Sequence, residues 1–222
     1  MAVELTAGSV VGIVMSSTVV SAVINGIVMW RLKLGDRKRE DQAIAQKCAR
    51  AQQEAVRALE AVAQDADEVL RPIEAAFEDY GDVGDAVFGH LKPVALRFEV
   101  PPQLVLDVLP PALVDQLYEF ERALGVSADW LDKHEVAADA FDLWKLEVQR
   151  LVQSGLLACD LANRTRRDLN LCESTYVQAW EQHFEAALAK LAREYERDPA
   201  EFPLLPAIEA RLTALSRSVA GR

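Results

Sequence analysis

The sequence predicts an all-α protein, with a single N-terminal transmembrane helix followed by a cytoplasmic helical bundle of roughly five or six helices. Three observations predict it. No side chain from Leu5 to Trp30 is charged. From Ile44 onward, apolar residues recur at intervals of three and four, which is the helical period. No alternation of strand and helix patterns and no repeat of fixed period interrupts that spacing.

The charge balance follows the same division. The chain has 222 residues, with 24 Lys or Arg and 35 Asp or Glu, for a formal net charge of −11. Only Glu4 lies within the first thirty residues, so residues 31–222 hold every basic group and a net charge of −10. An acidic surface excludes general nucleic-acid binding, which begins with a cationic surplus. A hydrophobic fraction of 51% is too high for a disordered chain. Two segments are expected: 1–35, a transmembrane anchor with a basic juxtamembrane collar, and 36–222, a soluble acidic α-helical domain.

As a helix, the uncharged run would be about 39 Å long, against about 30 Å of hydrocarbon in a bilayer. A cleaved signal peptide fits poorly, because its basic residues would precede the apolar stretch. Here Arg31, Lys33, Arg37, Lys38 and Arg39 follow it. By the positive-inside rule the N-terminus lies outside and the C-terminal domain in the cytoplasm. Trp30 stands at the expected interface, and with the five basic residues forms a candidate contact with anionic headgroups. Topology alone would also explain the cluster.

Within the run, Gly8 and Gly12 form a GxxxG pair, which Ser16 extends as small-xxx-small. Ser17, Ser21 and Asn25 recur every fourth residue on another side. Small residues let helix backbones approach, and an amide facing lipid alone is costly. Self-association through Gly8, Gly12, Ser16, Ser17, Ser21 and Asn25 is therefore expected.

Gly35-Asp36 is a possible hinge. The next helix should run from Arg37 to Tyr80, with Ile44, Cys48, Ala51, Ala55, Leu59, Val62, Ala66, Val69, Ile73, Ala76 and Tyr80 along its apolar seam. Pro72 is expected to kink it or end its first section. The seam suits a membrane-proximal coiled coil or an intramolecular bundle equally well. Residues 81–111, punctuated by Gly and Pro but dense in Val, Leu and Phe, read as short helical pieces and turns packed on the core. Two strands at 94–100 and 103–109 are the alternative.

A helix should start at Pro111 or Ala112 and end before Gly125. Ser127 reads as the N-cap of another, reaching Ser154 and closed by Gly155. The inward stripe of that helix would be Trp130, His134, Ala137, Phe141, Trp144, Val148 and Leu151. Residues 156–197 read as helical with an interruption near Asn170. Asp198-Pro199-Ala200-Glu201 has the form of a capping box, and a last helix begins at Pro206.

The search for chemistry is mostly negative. Cys48, Cys159 and Cys172 form no C-x-x-C pair and read as reduced thiols. His90, His134 and His183 match no metal-ligand spacing. His134, on the aromatic stripe, is a candidate buried titrating group; satisfaction by a neighbouring carbonyl or carboxylate is the ordinary alternative. The acidic residues at 74–85 lack the alternation of an EF-hand loop. Arg164, Arg166 and Arg167 form a candidate contact for an anion or an acidic partner. Asp160 and Asp168 at helical spacing from Arg164 offer local ion pairs instead. No phosphate-binding, nucleophile-elbow or kinase motif occurs.

No catalytic residue, metal or cofactor is therefore expected, although a site assembled in space would escape such a search. The expected function is that of a single-pass, membrane-anchored interaction or adaptor protein. It would self-associate through its anchor and recruit a protein partner through its soluble domain, with lipid as a further partner and no nucleic acid. One alternative is an oligomeric leak or pore gated by the soluble domain. Another is an enzyme with a site inside the bundle, which would need His134 or His183 to meet a carboxylate in a cleft.

Overall fold

The computed structural model describes residues 7–92, 94–135, 139–197 and 203–220. Within its helices, the side chains of residues 7–28, 31–32, 34–36, 103–104, 135 and 215–220 lie outside that description. Among the described residues the chain is all helical, with no strand. Five long helices are present: α1 (Ala7–Val83), α3 (Pro111–Glu135), α4 (Ala140–Asp168), α5 (Thr175–Arg197) and α6 (Pro206–Ala220). A 3-10 segment, Gly84–His90, and the one-turn α2, Gln103–Leu106, fill the Gly- and Pro-rich region. The strands considered there are replaced by these short helical pieces and extended chain. Pro93, Pro101, Pro102, Pro110 and Pro111 flank both candidate strands and confine each to seven residues.

Among the described residues, no helix is long and apolar enough to cross a membrane. The uncharged run lies almost wholly in the part of α1 whose side chains fall outside the description, along with Gly8, Gly12, Ser16, Ser17, Ser21 and Asn25. The chain divides into two compact units, Met1–Lys47 and Cys48–Arg222. In the first unit every described side chain from Met29 to Lys47 is exposed.

Two sequence expectations for α1 are corrected. Gly35-Asp36 does not break it, and Pro72 does not end it. Pro72 and Glu68 are both exposed, so the hydrogen bond that proline removes is lost on the solvent face, where water replaces it. The seam from Ala51 to Ala76 is buried as its spacing predicts, whereas Ile44 is 62% exposed.

The second unit is organised around α4, which packs against α3, α5, α6 and the 3-10 segment. Being enclosed on several sides, it buries an uninterrupted stretch, Leu146–Val152, instead of one stripe. Polar residues in that stretch must find partners inside the protein. Glu147 and Arg150 pair with each other at 2.5 and 2.7 Å, and Arg150 also donates to the Val94 carbonyl at 2.7 Å. The amide of Gln149, fully buried, donates to the Pro203 carbonyl and accepts from the Leu205 backbone N–H. These bonds fix the segments before α2 and α6 onto the central helix.

Helix boundaries near α4 also differ from expectation. α3 runs through Gly125 to Glu135, and α4 starts at Ala140. Ser127 is not an N-cap: it is buried in mid-helix and donates to the Leu124 carbonyl of its own helix. The cap is Asp139, whose carboxylate accepts from the Asp142 N–H. Gly155 lies inside α4 instead of ending it; a Cβ there would stand 2.3 Å from the ring of fully buried Phe184. This glycine serves close helix approach, with α5 pressed against it. α4 ends where an interruption was expected. Asn170 takes a φ of 53° while its N–H and that of Leu171 return to the Arg167 and Arg166 carbonyls, the Schellman arrangement. The capping box at Asp198–Glu201 lies outside the described residues, but α6 starts at Pro206 as expected.

Candidate functional site

The polar groups that the fold gathers from distant parts of the sequence lie where α1, α4 and α5 meet. His183, on α5, projects between two carboxylates one and a half to two turns apart on α1. Its Nδ1 lies 2.5 Å from Asp67 Oδ1, and its Nε2 lies 2.7 Å from Glu74 Oε2. Arg71, between them on α1, donates from Nε and Nη2 to the same Asp67 carboxylate at 2.8 and 3.2 Å. Asp67 is almost completely buried, and its two cationic neighbours compensate that burial.

The protonation state follows from counting donors. An ionised carboxylate only accepts hydrogen bonds, and a neutral imidazole carries one N–H. A histidine serving two carboxylates is therefore an imidazolium. Burial by itself would lower the His183 pKa, but the hydrogen bonds and charges of Asp67 and Glu74 outweigh it and raise it above the ordinary 6.5. On the facing side of α4, burial pushes the Cys159 thiol up to about 12, with the nearby carboxylates adding to the effect, so it stays protonated and unreactive.

Beside this cluster is a cleft of about 260 Å³. Phe77, Tyr80 and Phe141 form an aromatic wall, and the Tyr80 and Phe141 rings lie 4.4 Å apart. Phe88 and Trp144 extend the stack away from the cleft. The rim carries Glu74 and Glu194 together with Lys145 and Lys190, and the Lys145 ammonium sits 4.7 Å above the Phe141 ring. Charges of both signs alternate there, so the rim presents no net field to an anion or a cation.

Chemically, the cluster is occupied by its own contacts. Both ring nitrogens of His183 are engaged, leaving neither to take a proton from a substrate. The two carboxylates face opposite edges of one ring and do not converge, and among the described residues no group of three ligating side chains could hold a metal ion.

The residues singled out by sequence are dispersed. His134 is half-buried; its Nδ1 lies 2.7 Å from the Trp130 carbonyl one turn back, and its ring rests on Trp130. That is the local satisfaction set beside the titrating alternative. The arginine group separates into three environments. Arg164 pairs with Asp160 one turn away, whereas Asp168 is not its partner among the observed bonds. Arg166 reaches across to Glu60 of α1 at 2.6 Å and to the Cys172 carbonyl. Arg167 is exposed and donates to the Asn163 carbonyl. In the first unit, Trp30, Lys33, Arg37, Lys38 and Arg39 are exposed, and the Arg31 side chain lies outside the description.

The sequence named His183, with His134, only as a histidine that an enzyme site inside the bundle would need to meet a carboxylate in a cleft; the structure brings His183, and not His134, to two carboxylates, one of which lines the cleft. The partners of His183 are 109 and 116 positions away. The only available signal was Asp67-x-x-x-Arg71-x-x-Glu74, a charged row bordering an otherwise apolar seam. No protein-family model, curated protein or solved structure matches the chain.

Proposed function

We propose that the chain is a single-pass, membrane-anchored adaptor, N-terminus outside, that self-associates through residues 5–30 and presents its helical body to a cytoplasmic protein partner. The observation that carries this is the uncharged run Leu5–Trp30 closed by Arg31, Lys33, Arg37, Lys38 and Arg39. The exposed side chains at its end support it: Met29 and Trp30 are 58% and 64% exposed. Two large apolar groups at that position suit a headgroup interface better than water. The helical body supports the adaptor role, because its most polar cluster is spent on joining its own helices.

The test is carbonate extraction of membranes from cells expressing the full chain, with protease protection of a C-terminal tag. The chain should stay with the membrane, and the tag should be cleaved only after the cytoplasmic side is opened. Release by carbonate would overturn the anchor. Gly12→Ile should weaken self-association in the membrane, and a monomeric wild type would end that part of the proposal.

The four-residue spacing of Ser17, Ser21 and Asn25 favours one second reading, an oligomeric leak. Expression should then collapse the membrane potential, and replacing all three by Leu should restore it. An intact potential excludes it.

A further inference from the structure

We propose that His183 is a pH-operated latch that holds α5 to α1 while its imidazole is charged and releases it as the pH rises. The geometry is specific to a cation. One ring donates to Asp67 and Glu74 at once, and both acceptors belong to the same helix, α1. Removing one proton leaves a ring nitrogen with a lone pair facing a carboxylate oxygen at 2.5 or 2.7 Å. Attraction on that side becomes repulsion.

The charged groups around the ring come from all three helices. On α1, Arg71 is bonded to Asp67 and also feels the charge of Glu74. From α4, the Cys159 thiol, pushed up to about 12 and neutral, lies within the field of Asp67. On α5 the neighbour of the ring is Phe184, stacked at 6.2 Å. Beyond Glu74 lie the cleft-rim charges, Lys145 of α4 with Lys190 and Glu194 of α5. Deprotonation therefore leaves one of the two carboxylates facing a ring lone pair: either half-buried Glu74 loses its ring donor, or buried Asp67 is left with Arg71 alone. The same two helices form walls of the aromatic cleft, so the latch also sets the spacing of those walls.

The direction of the pH effect follows from linkage. A group whose folded pKa lies above its unfolded value stabilises the fold fully below the unfolded pKa, here the ordinary 6.5. That contribution is lost as the pH rises through the folded pKa. Each unit of separation between the two values weakens the folded population about tenfold. The latch is closed below about pH 6.5 and opens as the pH rises through the raised folded pKa.

The experiment uses the full chain in lipid nanodiscs with isotope-labelled histidine, followed by side-chain NMR between about pH 6 and pH 9, the window in which a raised histidine titrates. His183 should titrate above 6.5, with both nitrogens protonated below its midpoint. The protection of α5 amides relative to their intrinsic exchange rate at each pH should fall through the same transition, and Glu74→Gln should move the midpoint down. His183→Gln should abolish that pH-dependent loss of protection. Titration of His183 at or below 6.5 would overturn the proposal, as would an unchanged pH-dependent loss of protection in either variant. Should His183→Gln fail to fold, the wild-type titration and the Glu74→Gln shift decide by themselves.

Discussion

Two stretches of helix in this chain solve opposite problems. Between Leu146 and Val152, α4 is buried on every face, and its charged and amide groups are bonded to each other or to loops that cross it. Between Met29 and Lys47, every described side chain of α1 is exposed. An isolated helix is marginal in water, since most helical stability in proteins comes from burying an apolar face. The first stretch draws its stability from tertiary packing, and its sequence tolerates little change. The second needs support from outside the packed core, as anchoring in a membrane would provide. A polar residue therefore means different things in the two: an internal fastening in α4, solvation in α1.

Arg150→Met gives the sharpest contrast. It leaves the Glu147 carboxylate buried and unpaired and should cost about 3–5 kcal/mol. The paired change, with Glu147→Leu added, should recover most of that loss in denaturant titrations of the full chain. If the single variant unfolds at the wild-type midpoint, α4 is not the enclosed helix described above. Next in size is Gly155→Ala. An ordinary helix gains up to about 1 kcal/mol from this exchange, but here the new methyl meets the Phe184 ring. The variant should lose about 1–3 kcal/mol instead.

A smaller effect separates the arginines once grouped by their spacing. Arg166→Ala breaks a mostly buried contact between α4 and Glu60 of α1 and should cost about 1 kcal/mol. Arg164→Ala, in an exposed pair within one turn, should cost less than about 0.5 kcal/mol. Equal effects would remove the distinction. Smallest of all should be Arg37→Ala and Ile44→Ala in the exposed stretch, within about 0.5 kcal/mol of wild type. A loss beyond 1–2 kcal/mol at either position would mean that this helix is packed in solution.

Periodicity made the α1 seam readable, because Ala51, Ala55, Leu59, Val62 and Ala66 meet the core at the spacing that sequence displays. The starts of α3 and α6 were readable from proline at the first helical position. The break between α3 and α4 was not. Gly125 and Ser127 look like punctuation, yet the hydroxyl satisfies itself within its own helix, and a glycine inside a long helix costs only about 1 kcal/mol. Asp139, the true cap, carries no stronger local mark than other acidic residues nearby. Gly155 was misread for a different reason: a glycine that admits a ring from a neighbouring helix looks in sequence like one that ends a turn. Of the His183 cluster, the charged row Asp67, Arg71 and Glu74 was visible in the sequence, but not its pairing with His183, which exists only once α5 lies on α1.

The buried amide of Gln149 has a consequence for the order in which the molecule is made. Both its partners, Pro203 and Leu205, follow it by more than fifty positions. Until the chain has been synthesised past Leu205, the middle of α4 carries an open donor and an open acceptor. A polypeptide stopped after α5 would keep that defect permanently, at a cost of about 1–3 kcal/mol. The core around α4 is thus closed only when the segment before α6 is in place, and a product lacking that segment is unstable at its centre as well as shorter.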